Sequence, residues 1–207
     1  MSEHLYTFIN PPNEKHLAKI AYALQSNGVI ALPMGTNWVF CCDPNSRKAL
    51  DQIRLLKPKH PEDRPFSIIC SDISMVSTMG QVNNRNYNML RKIFPGPYTA
   101  ILPSHPNLPK RLDDKRRTVG IRIPDEQITL DIIRHYNNPL VATSIPDESE
   151  GVPMQMGYQV FDKYGHGLEM VVDLGQELPG TETTIFDFTG EEVVLVRAGA
   201  GDIDIFS

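Results

Sequence analysis

Residues 49–70 read ALDQIRLLKPKHPEDRPFSIIC, and the stretch changes character twice. Ala49, Leu50, Ile53 and Leu56 recur at helical spacing and would bury one face of a helix that Ser46 caps. Pro58, Pro61 and Pro65 then fix φ and remove backbone donors, so the helix stops and a stiffened loop follows. Phe66 to Cys70 is a short apolar run that suits a buried strand. The loop carries three cations, Lys57, Lys59 and Arg64. Cations in a loop with little ordering entropy left to lose suit an anionic ligand. A solvated lysine-rich loop would look the same in isolation. Further basic groups stand beside predicted strand ends downstream, and together they point to one phosphate-bearing substrate among them.

Working outward, Asn13 to Asn27 reads as a helix with Leu17, Ile20, Ala21 and Leu24 on its apolar face and Gly28 just beyond its end. Val29 to Leu32 and Trp38 to Cys42 read as strands joined by the turn Pro33-Met34-Gly35-Thr36. The Thr36 hydroxyl could face a cleft or cap its own turn. Downstream, Ser71-Asp72 opens a short helix to about Met79. Asn84 to Phe94 is a helix with Tyr87, Leu90 and Ile93 in phase. Pro95-Gly96-Pro97 ends it, and Tyr98 to Leu102 is a strand.

KRLDDKRR at 110–117 stands before the alternating strand Val119 to Ile123 and contains Lys115 and Arg117. Arg122 lies inside that strand, where a charge is costly unless it is paired or faces a cavity. Asp125 can cap a helix from Glu126 to Tyr136. Pro139 to Thr143 is a buried strand, and Ser144 stands at its carboxyl end, where open α/β sheets gather ligands. The acidic run 147–150 has no calcium-loop spacing. Pro153 to Tyr164 reads as a helix, and Met170 to Asp173, Thr184 to Phe188 and Val193 to Val196 as strands, with Arg197 ending the last. Helices and strands alternate first and strands dominate later, so the expected fold is a single-domain, twisted mixed α/β sheet flanked by helices.

The bulk numbers narrow the function. The 207 residues, 41% hydrophobic, suffice for one domain with a real core. A net charge of −5 discounts general nucleic-acid binding but leaves room for a local basic cleft. Cys41, Cys42 and Cys70 form neither a CxxC pair nor an even set, which suits reduced thiols in the cytoplasm and not a disulfide frame or zinc site. No apolar run reaches membrane-spanning length, and no metal ligands are assigned.

Several segments, in order, resemble the YrdC-like threonylcarbamoyl-AMP synthase family, most closely its YciO branch. They are GVIALPMGT at 28–36, IRLLKPK at 53–59, FPGPYTAIL at 94–102, KRRTVGIRIPD at 115–125, PLVATS at 139–144, TETTIFDF at 181–188 and VLVRAGAGD at 194–202. The resemblance implies a concave sheet with a positive cavity. It also implies a reaction in which threonine, bicarbonate and ATP, brought with Mg2+ as a substrate, give threonylcarbamoyl-AMP and pyrophosphate for a modified adenosine in tRNA. Carried over by position, Lys57, Lys59, Arg122 and Ser144 would do the phosphate and catalytic work. Thr36 would line the amino-acid pocket, and Thr143, Thr183 and Arg197 would stand beside it. Arg64, Lys115 and Arg117 join them as basic nucleotide-binding candidates.

This chain departs from the family pattern at three places. P-T-D-T has become P-M-G-T at 33–36, K-x-R has become Lys57-Pro58-Lys59, and S-x-N has become Ser144-Ile145-Pro146. The alternative is therefore a paralogue without synthase activity that binds nucleotide, tRNA or double-stranded RNA. Either protein could be a monomer or a homodimer.

Overall fold

The computed structural model describes residues 2–8, 12–58, 66–112, 117–145 and 153–206. Ten strands form one sheet: β1 Glu3–Tyr6, β2 Ile30–Pro33, β3 Trp38–Cys42, β4 Ser67–Ile69, β5 Tyr98–Pro103, β6 Thr118–Arg122, β7 Leu140–Ser144, β8 Met170–Asp173, β9 Thr184–Asp187 and β10 Val194–Arg197. Their order is β1-β8-β2-β3-β7-β4-β6-β5-β9-β10, with parallel and antiparallel neighbours mixed. Among the described residues, six α-helices and a short 3-10 turn, Gly165–Gly167, complete the fold: α1 Glu14–Gln25, α2 Arg47–Leu56, α3 Ile73–Met79, α4 Asn84–Ile93, α5 Gln127–Tyr136 and α6 Gly157–Tyr164. The mixed α/β sheet flanked by helices agrees with the sequence expectation.

Local chemistry explains most helix starts. Asn13, Ser46, Asp72 and Asn83 each accept backbone N–H bonds into the first turn that follows. Other expectations were overturned. Asp125 does not cap α5; the N-cap residue is Glu126, and it makes no side-chain cap bond. Tyr87 is exposed, and Asn86 is buried with Leu90 and Ile93 on α4, donating to the Phe188 carbonyl. The helix expected from Pro153 starts only at Gly157. The edge strand β1 was not expected; it is short, mixes charged and apolar residues, and pairs with the distant β8.

The sheet has two unlike faces. Alternate residues of the strands point to opposite sides. On one side Phe40, Cys42, Ile68, Ala100, Ile121, Val141 and Phe186 join the core residues of α2, α3, α4 and α6. On the other, α1 and α5 bury Ile30, Leu32, Val39, Cys41, Ile69, Leu140 and Ala142. Cys41 and Cys42 therefore lie on opposite faces, as the alternation requires. The second core stops at β4: no residue of β5, β6, β9 or β10 belongs to it. Ser67, Gly120, Thr118, Thr99, Ile101 and Ile185 face that side from the remaining strands. Among the described residues no helix caps this half-face, which holds the candidate site.

Candidate functional site

Arg122 ends β6 on the uncapped face. Its side chain is 7% exposed. One terminal nitrogen donates to the Thr36 hydroxyl at 3.2 Å, whereas the buried Nε has no hydrogen-bond partner. No carboxylate among the described residues forms an ion pair with it, so the salt-bridge reading of a charge within this strand does not hold. Burial lowers its pKa to about 10, the Cys41 thiol and Asp125 act to raise it, and Arg197 acts to lower it. The guanidinium is still charged at neutral pH.

Thr36 sits on the β2–β3 turn. Its hydroxyl accepts from Arg122 and donates to Asn37 Oδ1 at 3.3 Å, while its carbonyl receives the Thr181 amide at 3.1 Å. The turn is held from below, because the Thr129 hydroxyl of α5 donates to the Pro33 carbonyl at 2.6 Å. Gly35 has φ +72°, and a Cβ there would stand 2.7 Å from Asp125 Oδ1. Asp125 thus lies against the space where a side chain at position 35 would begin. Met34 is buried in the α1/α5 core.

A third group closes this end of the face. Thr99 and Thr183 share a buried hydroxyl–hydroxyl bond of 2.8 Å. Arg197 donates through Nε and a terminal nitrogen to the Thr183 carbonyl, at 3.1 and 2.9 Å, and pairs with Glu182 at 3.0 Å. The following Ala198–Gly201 segment folds back on β9. The Thr184 hydroxyl accepts from the Gly199 amide and donates to the Gly201 carbonyl. Gly199 has backbone of Glu182 and Thr183 where a Cβ would go, so only glycine fits.

Lys57 forms a second pole. It caps the C-terminus of α2, and its ammonium donates to the Thr143 hydroxyl at 3.0 Å and the Ser144 carbonyl at 2.8 Å, with Ser144 Oγ at 3.5 Å. Arg122 pairs with Ile69, and Ile69 with Leu140. Ser144 pairs with Val39, close after Thr36 in the chain, so the β2–β3 turn links this group to Arg122. The floor between them is Ser67 and Gly120. A Cβ at Gly120 would meet only ordinary contacts, with Thr99 and Ser67, so this surface is shallow by composition and not by crowding.

The structure therefore joins Arg122 with Thr36, Thr183 with Arg197, and Lys57 with Thr143 and Ser144. Arg117 is not brought to Arg122. It is exposed at the opposite end of β6, with φ +54°, and its carbonyl receives the Ser104 amide. Lys59, Arg64 and Lys115, with Pro146 and the acidic run 147–150, lie outside the described residues. Sequence reading missed Thr99, Glu182 and Asp125 as site residues. The signal for Thr99 was present: it is the polar position of an apolar strand, two residues from Ile101 on the same face. Among the described residues no three His, Cys, Asp or Glu side chains converge to hold a metal ion, and no helix is long and apolar enough to cross a membrane.

Comparison with known proteins fits this geometry. Residues 22–199 match the family model Sua5/YciO/YrdC, which carries the description "Telomere recombination". The chain belongs to the Sua5/YciO/YrdC family. An uncharacterized protein of Haemophilus influenzae is 33% identical over 97% of both chains. The crystal structure of Escherichia coli YciO superposes with a TM-score of 0.90 over all of this chain and 99% of that one, at 24% identity, and so shares its fold. The threonylcarbamoyl-AMP synthase of Bacillus subtilis is 28% identical over 90% of this chain; the match spans 54% of that enzyme's length.

Proposed function

We propose that the uncapped half-face binds an ATP-type nucleotide with its magnesium ion, and that the chain transfers the nucleotidyl group to a small carboxylic acid. The observation that carries this reading is the Arg122 guanidinium. It is buried, bears no ion pair among the described residues and leaves Nε unpartnered beside a polar face. A buried charge in that state is costly, and an oxyanion would satisfy it with charge-assisted bonds. Lys57, held by the Thr143 hydroxyl and the Ser144 carbonyl, supplies a second cation.

Family membership with threonylcarbamoyl-AMP synthases supports threonine and bicarbonate as the source of the acid, and tRNA modification as the destination of the product. In that reaction a carboxylate oxygen of N-carboxythreonine attacks the α-phosphorus. The bond to the bridging oxygen breaks, and pyrophosphate leaves with its electron pair. No protein nucleophile is needed, so the residues act by alignment and charge neutralisation. Arg122 and Lys57 would hold phosphate oxygens, the Thr36 and Thr183 hydroxyls would orient the acid, and Arg197 would brace Thr183.

A second reading is a paralogue that keeps the anion site and lacks the synthase step, with nucleotide, tRNA or double-stranded RNA as its ligand. The hairpin tip favours it: Met34 is turned into the core and Gly35 presents no side chain, so the amino-acid end of the pocket has lost two functional groups relative to the family motif.

Purified protein given ATP, magnesium and bicarbonate, with and without threonine, separates these readings by mass spectrometry. Threonine-dependent pyrophosphate with a threonylcarbamoyl-AMP mass supports the synthase. Nucleotide binding without product supports the paralogue, as does RNA binding that weakens steeply with salt. Failure of ATP, AMP and RNA alike to bind removes both.

A further inference from the structure

The two edges of the ten-stranded sheet are built differently. β1 carries Glu3, which pairs with Lys19, and His4, which bonds the buried Asp173 carboxylate. β10, at the other edge, is bonded only to β9. It presents Val194, Leu195 and Val196 in succession, 57%, 42% and 53% exposed. Edge strands are normally guarded by charge or proline, and from Val193 to Val196 there is neither.

The charges stand at the two ends of this run. Val194 lies opposite Asp187, Leu195 opposite Phe186, and Arg197 opposite Ile185, with a bulge between Leu195 and Arg197. Asp187 and Ile185 are two residues apart on β9, so Val194 and Arg197 share a face in spite of their odd spacing. Glu192 is two residues before Val194, in the bend that leads into β10. Glu192 and Arg197 flank the apolar run on opposite sides and with opposite charge. A strand with that pattern is complementary to its own reverse.

We propose that β10 pairs antiparallel with β10 of a second copy of this chain, about a two-fold axis at Val194. The two sheets become one, and the exposed apolar run of each copy covers that of the other. Glu192 stands opposite the partner subunit's Arg197, and Val193 opposite the partner subunit's Leu195; such cross-strand pairs reinforce the backbone ladder. Because the contact uses the same strand from both copies, assembly closes at two. Arg197 already holds Glu182 and the Thr183 carbonyl at the edge of the candidate site. The partner's Glu192 therefore becomes part of that rim.

Light scattering on the full chain across a wide concentration range tests this. The expected mass is that of two chains, falling toward one on dilution. Val194→Lys places like charges on the axis and is expected to give monomers with a native circular-dichroism spectrum. A dimer that persists in V194K overturns the proposal. If V194K fails to fold, Val194→Cys decides. A cysteine on the axis faces its own copy within disulfide reach, so mild oxidant should yield a dimer band on a non-reducing gel. Val196→Cys, in the bulge, should not. Cys41, Cys42 and Cys70 are buried and do not compete. A chain monomeric at the highest concentration, with V194C that does not cross-link, refutes the pairing.

Discussion

The sheet face toward α1 and α5 is finished in two ways. Over β1, β8, β2 and β3 it is a dry core, with Ile20, Leu24, Ile128 and Ile132 packed onto Ile30, Leu32, Val39 and Val172. Over β6, β5 and β9 the same face carries Gly120, Thr99, Ile185 and the Arg122 guanidinium, with no helix of that core above them. The backbone ladder runs without a break from one half to the other. What differs is side-chain size and polarity at alternate positions, so a few residues decide whether a stretch of sheet becomes core or site. Stability belongs to the first half and ligand chemistry to the second.

The largest effect should come from breaking the covered half. Ile133→Ala removes a fully buried side chain of α5, and urea unfolding should show a loss of about 2–5 kcal/mol. Nucleotide affinity per folded molecule should hardly change. If it collapses as well, the two halves are not separable.

Arg122→Met sharpens the comparison from the other side. Nucleotide affinity measured by calorimetry should fall by about 10- to 100-fold, the range of a lost charge-assisted bond. Stability should hold or rise, because an unpaired buried charge is replaced by a hydrophobe of similar volume. Lower stability with unchanged affinity would make Arg122 a structural residue. The lowered Arg122 pKa, about 10, leaves the group charged throughout ordinary assay conditions. Its contribution to anion affinity should therefore stay flat between pH 6 and 9.

Gly35→Ala tests the border between the halves. The positive φ and the approach of Asp125 predict a cost of about 1–2 kcal/mol by thermal melting. Asp125→Ala in the same chain should recover part of it, and independent, additive effects would sever the proposed contact.

The smallest expected effect lies at the start of α5. Burial first, and then Asp125, raise the Glu126 carboxyl above its ordinary value. The ionised form is therefore penalised in the folded state. The penalty is present above the raised pKa and vanishes below the unfolded value, where both states are protonated. Glu126→Gln should raise the melting temperature by about 1 °C at pH 7 and leave it unchanged at pH 3.

Much of this was legible in the chain. Caps such as Asn13 and Ser46 act within a few residues, and the apolar positions of α1 and α2 follow the helical period, so local chemistry sufficed. Arg122, Thr36, Thr183 and Arg197 were singled out by a charge inside a strand and by ordered family motifs, and the structure bonds Arg122 to Thr36 and Arg197 to Thr183. The failures share one cause, a distant partner. Asp125 precedes a helix and would cap it by rank, but a glycine ninety residues earlier leaves room for its carboxylate. Asn86 takes the buried place expected of Tyr87 because Phe188 offers it a carbonyl. Thr99 gained its role from Thr183, on another strand. Arg117 was grouped with Arg122 by proximity in sequence, whereas a strand holds its two ends apart.

The bond between the Thr36 carbonyl and the Thr181 amide has a consequence for how the protein comes into being. The Arg122 end of the candidate site is assembled from the hairpin at 34–37, the end of β6 and the segment 181–201, which lie far apart along the chain. Contacts of such sequence separation are entropically late and slow. A nascent chain released up to Ser144 could already build α1, α2 and the hairpin, yet it would lack Thr183, Arg197 and the Gly199 fold-back that brace Arg122's surroundings. Ligand recognition should thus appear only once nearly all of the chain has left the ribosome, and added nucleotide should speed the last phase of refolding more than the first.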